Sequence, residues 1–220
     1  MKLNVILTGA TGMVGEGVLH ECILHPDVER ILIINRKASG MLHPKLKEII
    51  HQDFFDLPFI QQELAGYNTC LFCLGVSSVG MDKKTYFNLT YNLTMNFAKA
   101  LADQNPAMVF CYISGAGTDS SEKGRVAWAR VKGKTENDLM KLPFKRVYNF
   151  RPAILESTPG LKNTLSFYKY FRWLIPFIRL IAPNSLSTLK ELGLAMINVS
   201  RNGYPRQIIE VKDIHALAKQ

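Results

Sequence analysis

Two stretches of the sequence combine residue types and spacings that suit chemistry. The first, "TGATGMVG", places three glycines at intervals of three between an apolar run and a helical pattern. Glycines permit a tight turn and a close backbone approach to a pyrophosphate, and the amides that open the next helix attract negative charge. This stretch therefore predicts a dinucleotide-binding loop. The predicted contacts are Gly9, Thr11, Gly12, Met13, Val14 and Gly15.

The second stretch, residues 114–132, contains Ser114, Trp128 and Lys132. The four-residue spacing of Trp128 and Lys132 places both side chains on one face of a helix, one turn apart. An indole N–H donates a hydrogen bond but offers no usable acid–base proton near neutral pH. This stretch raises the question whether the bound molecule is also changed chemically.

The second apolar run ends in "INRK", which bears on the choice of cofactor. An acidic residue at this position would grip both ribose hydroxyls and favour NAD. Asn35, Arg36 and Lys37 stand there instead, and a guanidinium can pair with a 2′-phosphate through two hydrogen bonds. We therefore predict NADP, with NAD less favoured, and we place Arg36 before Lys37 as the phosphate contact. A basic pair on a solvated loop is the alternative interpretation.

The ends of three further apolar runs also predict cofactor contacts. After the third run, the carboxylate of Asp53 can accept a hydrogen bond from the adenine amino group. The alternative is that Asp53 caps a turn. A glycine after the fourth run lets the chain pass close under the cofactor, and a proline fixes the turn after the sixth. The predicted contacts at these ends are Asp53, Phe54, Leu74, Gly75, Pro152 and Ile154.

The elements that must position these residues follow one rhythm. Short, almost continuously apolar runs alternate with helical patterns, including a long helix over residues 83–104. Such runs are typical of parallel strands buried on both faces, so the pattern predicts a doubly wound parallel α/β sheet. We predict a dinucleotide-binding core over residues 1–155 and a small substrate-side lid over residues 156–220, within a single domain. A capping box, Thr188 with Glu191, predicts a late helix that stops at Gly203.

Composition narrows the class of protein. The 220 residues carry a formal net charge of +9, and the basic residues are scattered without a block of five. We therefore predict a small-molecule substrate and no nucleic-acid partner. The four cysteines lie in or beside apolar runs, which favours reduced buried thiols, no metal site and a cytoplasmic location.

The region 164–181 is rich in aromatic and aliphatic residues and carries a basic flank. Lys169, Arg172, Pro176 and Arg179 interrupt it too often for a membrane span, so we predict no integral membrane segment. A lid over the cleft is the first interpretation of this region. A homodimer interface and a peripheral contact with a membrane surface are the alternatives.

Four stretches together resemble an atypical short-chain dehydrogenase/reductase: "TGATGMVG", "CLG", "SGAGTDSSEKGRVAWARVKGKTE" and "NFRPAIL". The closest group is the Tat-interacting-protein-like oxidoreductases, with relatives labelled as NAD-dependent epimerase/dehydratase. The resemblance implies an NAD(P)-binding Rossmann fold and a reacting set of serine, tyrosine and lysine. In that set the lysine holds the nicotinamide ribose and lowers the pKa of the tyrosine, which passes a proton while hydride moves.

The resemblance carries over to this chain with one departure. Ser114 and Lys132 match the serine and the lysine, whereas Trp128 stands at the tyrosine position. We expect an oxidoreductase acting on a small carbonyl or alcohol, with a non-catalytic NADP(H)-binding regulatory or sensor protein as the alternative. If turnover occurs, another group must supply the proton. The alternatives are Tyr86, Tyr112, Asp119, Tyr148, or water held by Ser114 and Lys132.

Overall fold

Seven strands form one parallel sheet in the computed structural model, which describes residues 1–163, 181 and 185–220. The strands of this sheet are β1 (Leu3–Thr8), β2 (Val28–Asn35), β3 (Leu46–Ile50), β4 (Thr69–Phe72), β5 (Val109–Ile113), β6 (Arg146–Arg151) and β9 (Ile208–Glu210). Their order across the sheet is β3-β2-β1-β4-β5-β6-β9, so the predicted doubly wound α/β fold is confirmed. Two short strands, β7 (Ile154–Glu156) and β8 (Leu186–Thr188), pair with each other outside it.

Helices connect the strands and cover both faces of the sheet. They are α1 (Met13–Leu24), α2 (Lys83–Phe87), α3 (Leu93–Gln104), α4 (Ala127–Leu139), α5 (Leu189–Asn202) and α6 (Val211–Leu217). A 3₁₀ turn spans Pro58–Leu64, and a π-helical turn, Asn88–Asn92, joins α2 to α3. The long helix predicted over residues 83–104 is therefore present, but it contains a wide turn that the sequence pattern did not predict.

The apolar core has one layer on each face of the sheet. Val5 and Leu7 of β1 pack on the side of α1 and α5, whereas Ile6 packs with Phe72 and Phe97 on the side of α3. Because successive side chains of a strand point to opposite faces, burial of both faces requires nearly every strand residue to be apolar. This explains the continuous apolar runs of the sequence.

Close contact between α1 and α5 depends on two glycines. A Cβ atom on Gly17 would lie 2.8 Å from the Leu189 side chain, and one on Gly193 would lie 2.8 Å from Glu21. The described part of residues 156–220 thus adds α5 to the core and β9 to the main sheet. The division at residue 155 into a core and a lid stays a prediction.

The predicted capping box is confirmed. Thr188 Oγ1 accepts a hydrogen bond from the Glu191 amide at 3.0 Å, and Glu191 Oε2 accepts one from the Thr188 amide at 2.8 Å. Gly203, with φ of 76°, follows the last turn of α5. The region 164–181 lies outside the described residues except for Ile181. Among the described residues, none of the helices is both long and apolar enough to cross a bilayer.

Candidate active site

The glycine loop lies where the strand order reverses. It follows β1, while Leu74 and Gly75 follow the neighbouring strand β4, so both segments meet at the carboxyl edge of the sheet. The Leu74 amide donates a hydrogen bond to Thr8 Oγ1 at 3.3 Å, which holds the two segments together. No atom within 4 Å would meet a Cβ on Gly75, so the space above it is open. Such reversal points are the usual ligand crevices of open α/β sheets.

Two glycines of the loop are required by its geometry. Gly9 has φ of +76°, and a Cβ atom there would lie 2.8 Å from the backbone of Cys73 and Leu74. A Cβ atom on Gly15 would collide with the carbonyl oxygen of Gly9. The Gly12 amide donates to that same carbonyl at 2.9 Å and closes the turn. The spacing of the motif therefore reflects a loop whose ends touch backbone to backbone.

The helix that follows starts without a cap. Gly12 is the N-cap of α1, and no side chain of the described residues accepts a hydrogen bond at that position. The first intrahelical bond runs from Glu16 to Gly12, so the amides of Met13, Val14 and Gly15 precede it. Only the Gly9 oxygen, at 3.4 Å, lies near a Cβ built on Gly12. Open amides with no side chain above them fit the diphosphate of a dinucleotide.

A cavity of about 550 Å³ adjoins the loop. Thr11, Lys37 and Ser39 line one part of it, and residues 160–163 line another. The buried Glu16 carboxylate also lines it and accepts the amides of residues 162 and 163 at 2.9 and 2.7 Å. Arg36 is exposed and is not among the lining residues. The structure therefore brings Lys37, instead of the preferred Arg36, to the space beside the loop.

The loop after β2 is held by a carboxylate that the sequence analysis did not predict. Glu48 of β3 accepts hydrogen bonds from Asn35 Nδ2 at 2.8 Å and from the Ser39 amide at 2.9 Å. Asn35 is buried, and its Nδ2 group is thus committed to holding the loop after β2. The strand pairing that brings Glu48 beside Ile33 links β2 with β3, and no motif in the sequence marks it.

The predicted adenine contacts have structural roles of their own. Asp53 Oδ1 accepts a hydrogen bond from the Phe55 amide at 2.8 Å, so this residue caps a turn as the alternative interpretation held. Phe54 is buried, and its carbonyl accepts from Asn96 Nδ2 at 3.0 Å. Binding of adenine by Asp53 and Phe54 stays a prediction.

The segment after β6 forms the other wall of the crevice. The Pro152 carbonyl accepts a hydrogen bond from the Ala116 amide at 2.9 Å, which ties this segment to the loop after β5. Ile154, the first residue of β7, keeps 38% of its surface exposed. Their contact with the nicotinamide end of a cofactor also stays a prediction.

Ser114 and Lys132 meet at the end of β5. Lys132 Nζ donates to the carbonyls of Ile113 and Ser114 at 3.2 and 3.0 Å. Burial lowers the pKa of Lys132 from its usual 10.5 to about 8, and the negative charge of Glu136 one turn later opposes this shift. Ser114 Oγ lies 2.9 Å from Thr118 Oγ1. The predicted serine and lysine are therefore brought together, with an ammonium that is easily deprotonated.

Trp128 lines a second, smaller cavity of about 180 Å³. Val131 lines it from the same helix, Met81 and Ser78 line it from the segment after β4, and Lys83 and Tyr86 line it from α2. The side chains around this cavity are mostly apolar. It can hold a small uncharged molecule one helical turn from Lys132.

Of the four side chains considered as proton sources, three are engaged elsewhere. Tyr112 is buried under Lys132, whose Nζ lies 5.4 Å from its ring, and burial raises the pKa of Tyr112 above its usual range. The Tyr148 hydroxyl accepts from the Tyr204 amide at 2.9 Å. Asp119 accepts the amides of residues 121 and 124 and shapes a loop. Only the fourth, Tyr86, lines the cavity beside Trp128.

The low pKa of Lys132 predicts a pH dependence of stability. Between pH 8 and 10.5 the unfolded chain keeps a proton on this lysine that the folded chain has released. The free energy of unfolding therefore increases as the pH rises through this range. We expect a Lys132→Met variant to lack this rise. Thermal melts from pH 7 to 10.5 test it, with Lys99→Met on the exposed face of α3 as the control. Parallel curves for wild type and Lys132→Met would contradict the shift.

No protein-family model matches the chain. Curated proteins match the chain in sequence. A protein of Emericella nidulans named "Protein fmp52, mitochondrial" is 31% identical over 69% of this chain. The match spans 66% of that relative, just under two thirds of its length. A protein of Scheffersomyces stipitis named "Protein FMP52-2, mitochondrial" is 27% identical, and the alignment covers both chains completely.

These names correct one prediction. The cytoplasmic location inferred from the cysteine pattern is wrong, because the relatives are named as mitochondrial proteins, including the one aligned along the whole chain. Buried reduced thiols, as found for Cys22, Cys70 and Cys111, are compatible with more than one reducing compartment and do not identify it.

Solved structures share the fold at low sequence identity. A UDP-N-acetylglucosamine 4-epimerase from Methanobrevibacter ruminantium superposes with a TM-score of 0.70 at 15% identity, over 95% of this chain and 76% of that one. The Bordetella bronchiseptica enzyme WbmF, solved with NAD⁺, superposes with a TM-score of 0.68 at 13% identity, over 99% and 77% of the two chains. The chain therefore has the Rossmann-type fold found in NAD-binding epimerases.

Proposed function

We propose that this protein binds NADP(H) and acts as an atypical short-chain dehydrogenase/reductase on a small carbonyl or alcohol. The observation that carries the proposal is the uncapped start of α1 above an open glycine loop, at the reversal point of the sheet. The resemblance to the Tat-interacting-protein-like oxidoreductases and the nicotinamide-binding fold relatives support it.

Lys37 supports the phosphorylated form of the cofactor. It lines the cavity beside the glycine loop, and no acidic residue ends β2. Calorimetry with NADPH and with NADH tests the preference. We expect Lys37→Glu to lower the affinity for NADPH at least tenfold, as for loss of one charge-assisted hydrogen bond. The affinity for NADH should change little.

Arg36→Glu is the matched control, because it makes the same charge change at the adjacent residue, which does not line the cavity. We expect it to have the smaller effect on NADPH. Equal affinity of the wild type for both cofactors, unaffected by Lys37→Glu, would contradict the NADP preference. Absence of binding of either cofactor would contradict the proposed function altogether.

The residues of this chain then have defined tasks. A bound nicotinamide would supply or accept hydride. The glycine loop holds the diphosphate, and the Lys132 ammonium holds ribose hydroxyls near the end of β5. Ser114 orients the substrate oxygen, and Trp128 offers a planar apolar surface for nicotinamide or substrate. The open question within this scheme is the source of the proton, since the indole of Trp128 cannot supply it.

A second candidate function is non-catalytic binding of NADP(H) by a regulatory or sensor protein. The observation that favours it is Trp128 at the position of the expected tyrosine. Stoichiometric NADPH binding without oxidation across a broad panel of aldehydes and ketones would support this candidate and contradict the oxidoreductase.

We also propose a mitochondrial location, because the curated relatives carry that word in their names. Fractionation of cells expressing the chain tests it. Homodimer formation or a surface contact through residues 164–181 stays a prediction, and sedimentation analysis with and without anionic vesicles tests both.

A further inference from the structure

We propose that Tyr86 is a catalytic residue, the proton donor that replaces the tyrosine missing at position 128. The role would thereby pass from α4 to the neighbouring helix α2. This role rests on the proposed oxidoreductase function and names the residue that completes it.

Placement in the cavity is the first support. Tyr86 is 4% exposed, and what it faces is the space of about 180 Å³ that Trp128 and Val131 also line. A substrate carbonyl resting against Trp128 is thus enclosed by Tyr86 as well. The small volume and mostly apolar walls, with Lys83 among the lining residues, select a small aryl or short-chain ketone or aldehyde over a sugar nucleotide.

The backbone around Tyr86 is the second support. Asp82 caps the start of α2 by accepting the amides of Lys84 and Thr85, both at 3.0 Å. The π-helical turn Asn88–Asn92 begins two residues after Tyr86, and such turns occur frequently at functional sites. Tyr91 in this turn donates to Asp138 of α4 at 2.8 Å. Tyr86 is therefore held at a fixed distance from the helix that carries Trp128 and Lys132.

The surroundings of the phenol are the third support. Burial raises the pKa of Tyr86, and the Thr90 hydroxyl one turn later opposes part of that rise. Thr90 is buried, and its hydroxyl has no partner of normal hydrogen-bond geometry among the described residues. It can therefore donate to the phenol oxygen once the proton has left.

The step balances as a two-electron reduction. A bound reduced cofactor would supply the hydride, so that one of its C–H bonds breaks while a C–H bond forms at the carbonyl carbon and the carbonyl π bond breaks toward oxygen. The Tyr86 O–H bond breaks and its proton goes to that oxygen. The phenolate, near Thr90, regains a proton from solvent. The substrate is reduced to an alcohol, the cofactor is oxidised, and one solvent proton is consumed.

The test uses the full chain, NADPH and 4-nitroacetophenone as the probe. We expect Tyr86→Phe to lower turnover about 100-fold, the usual range for loss of a general acid, with NADPH affinity unchanged. Adding Trp128→Tyr to this variant should recover at least tenfold of the loss. The control is Tyr67→Phe, at a buried tyrosine beside Arg30 that does not line this cavity, and it should keep wild-type turnover.

A second readout does not depend on turnover. Calorimetry of 4-nitroacetophenone binding without cofactor should show about fivefold weaker binding to Tyr86→Phe, as for loss of one neutral hydrogen bond. Full turnover and full probe affinity in Tyr86→Phe would overturn the role while leaving the oxidoreductase function intact. A wild-type protein that binds NADPH but reduces no carbonyl contradicts the oxidoreductase function, and with it the catalytic role of Tyr86.

Discussion

Gly12→Asp is expected to raise the melting temperature slightly and to weaken cofactor binding at least 100-fold in the same protein. Gly12 has the extended backbone of an N-cap, and only the Gly9 oxygen lies within 4 Å of the position of a Cβ. Aspartate there caps the open amides of α1, a gain of about 0.3 kcal/mol over glycine. For a chain of this length that corresponds to about 1 °C. The same carboxylate occupies and repels the site of the diphosphate, so NADPH affinity should fall at least 100-fold.

Thermal melts and calorimetry on one protein preparation measure both effects. Gly12→Asn separates their causes, because asparagine supplies a cap of equal size without the charge. It should give a similar gain in melting temperature and a smaller loss of NADPH affinity. If Gly12→Asp stabilises the protein and NADPH still binds at wild-type affinity, the diphosphate does not lie on the start of α1.

Arg151→Met is expected to give a large loss of stability. Glu136 of α4 is fully buried, and Arg151 Nε donates to it at 3.0 Å from β6. Removing the guanidinium strands a carboxylate in the core, a cost of about 3–5 kcal/mol. At 2–4 °C per kcal/mol the melting temperature should fall by roughly 10 °C. Because this pair holds α4 against the sheet, Lys132 should shift as well, and cofactor affinity should weaken.

Two further variants isolate the cause of that loss. Arg151→Met combined with Glu136→Met removes both charges and should recover most of the stability, since the unpaired carboxylate is then gone. Lys47→Met breaks the exposed pair with Glu63 and should change the melting temperature by about 1 °C or less. A double variant as unstable as Arg151→Met alone would show that packing, and not the stranded charge, causes the loss.

The sequence predicted those elements that local pattern determines. Helix α1 spans residues 13–24 as predicted, because the glycine motif fixes its start and "HPD" follows its end. The capping box at Thr188 and the stop at Gly203 set the bounds of α5 in the same way. The continuous apolar runs predicted a sheet covered on both faces, and that is the arrangement found.

Features that depend on distant residues could not be predicted. The pairing of β7 with β8 joins residues 154–156 to residues 186–188, and neither strand has a pattern of its own. Glu48 reaches the loop after β2 only because β3 pairs beside it. Which of two adjacent basic residues lines the cavity is likewise decided by the fold of an exposed loop: Lys37 lines it, and Arg36 as the phosphate contact stays a prediction.

The contact between α1 and α5 limits how the chain can be shortened. Gly17, in the helix that begins at the glycine loop, packs against Leu189, which lies more than 170 positions later in the chain. A fragment ending at residue 155 would keep every residue of the motif and lose the surface that supports its helix. A minimal nucleotide-binding module therefore cannot be obtained by cutting off the last third of the polypeptide.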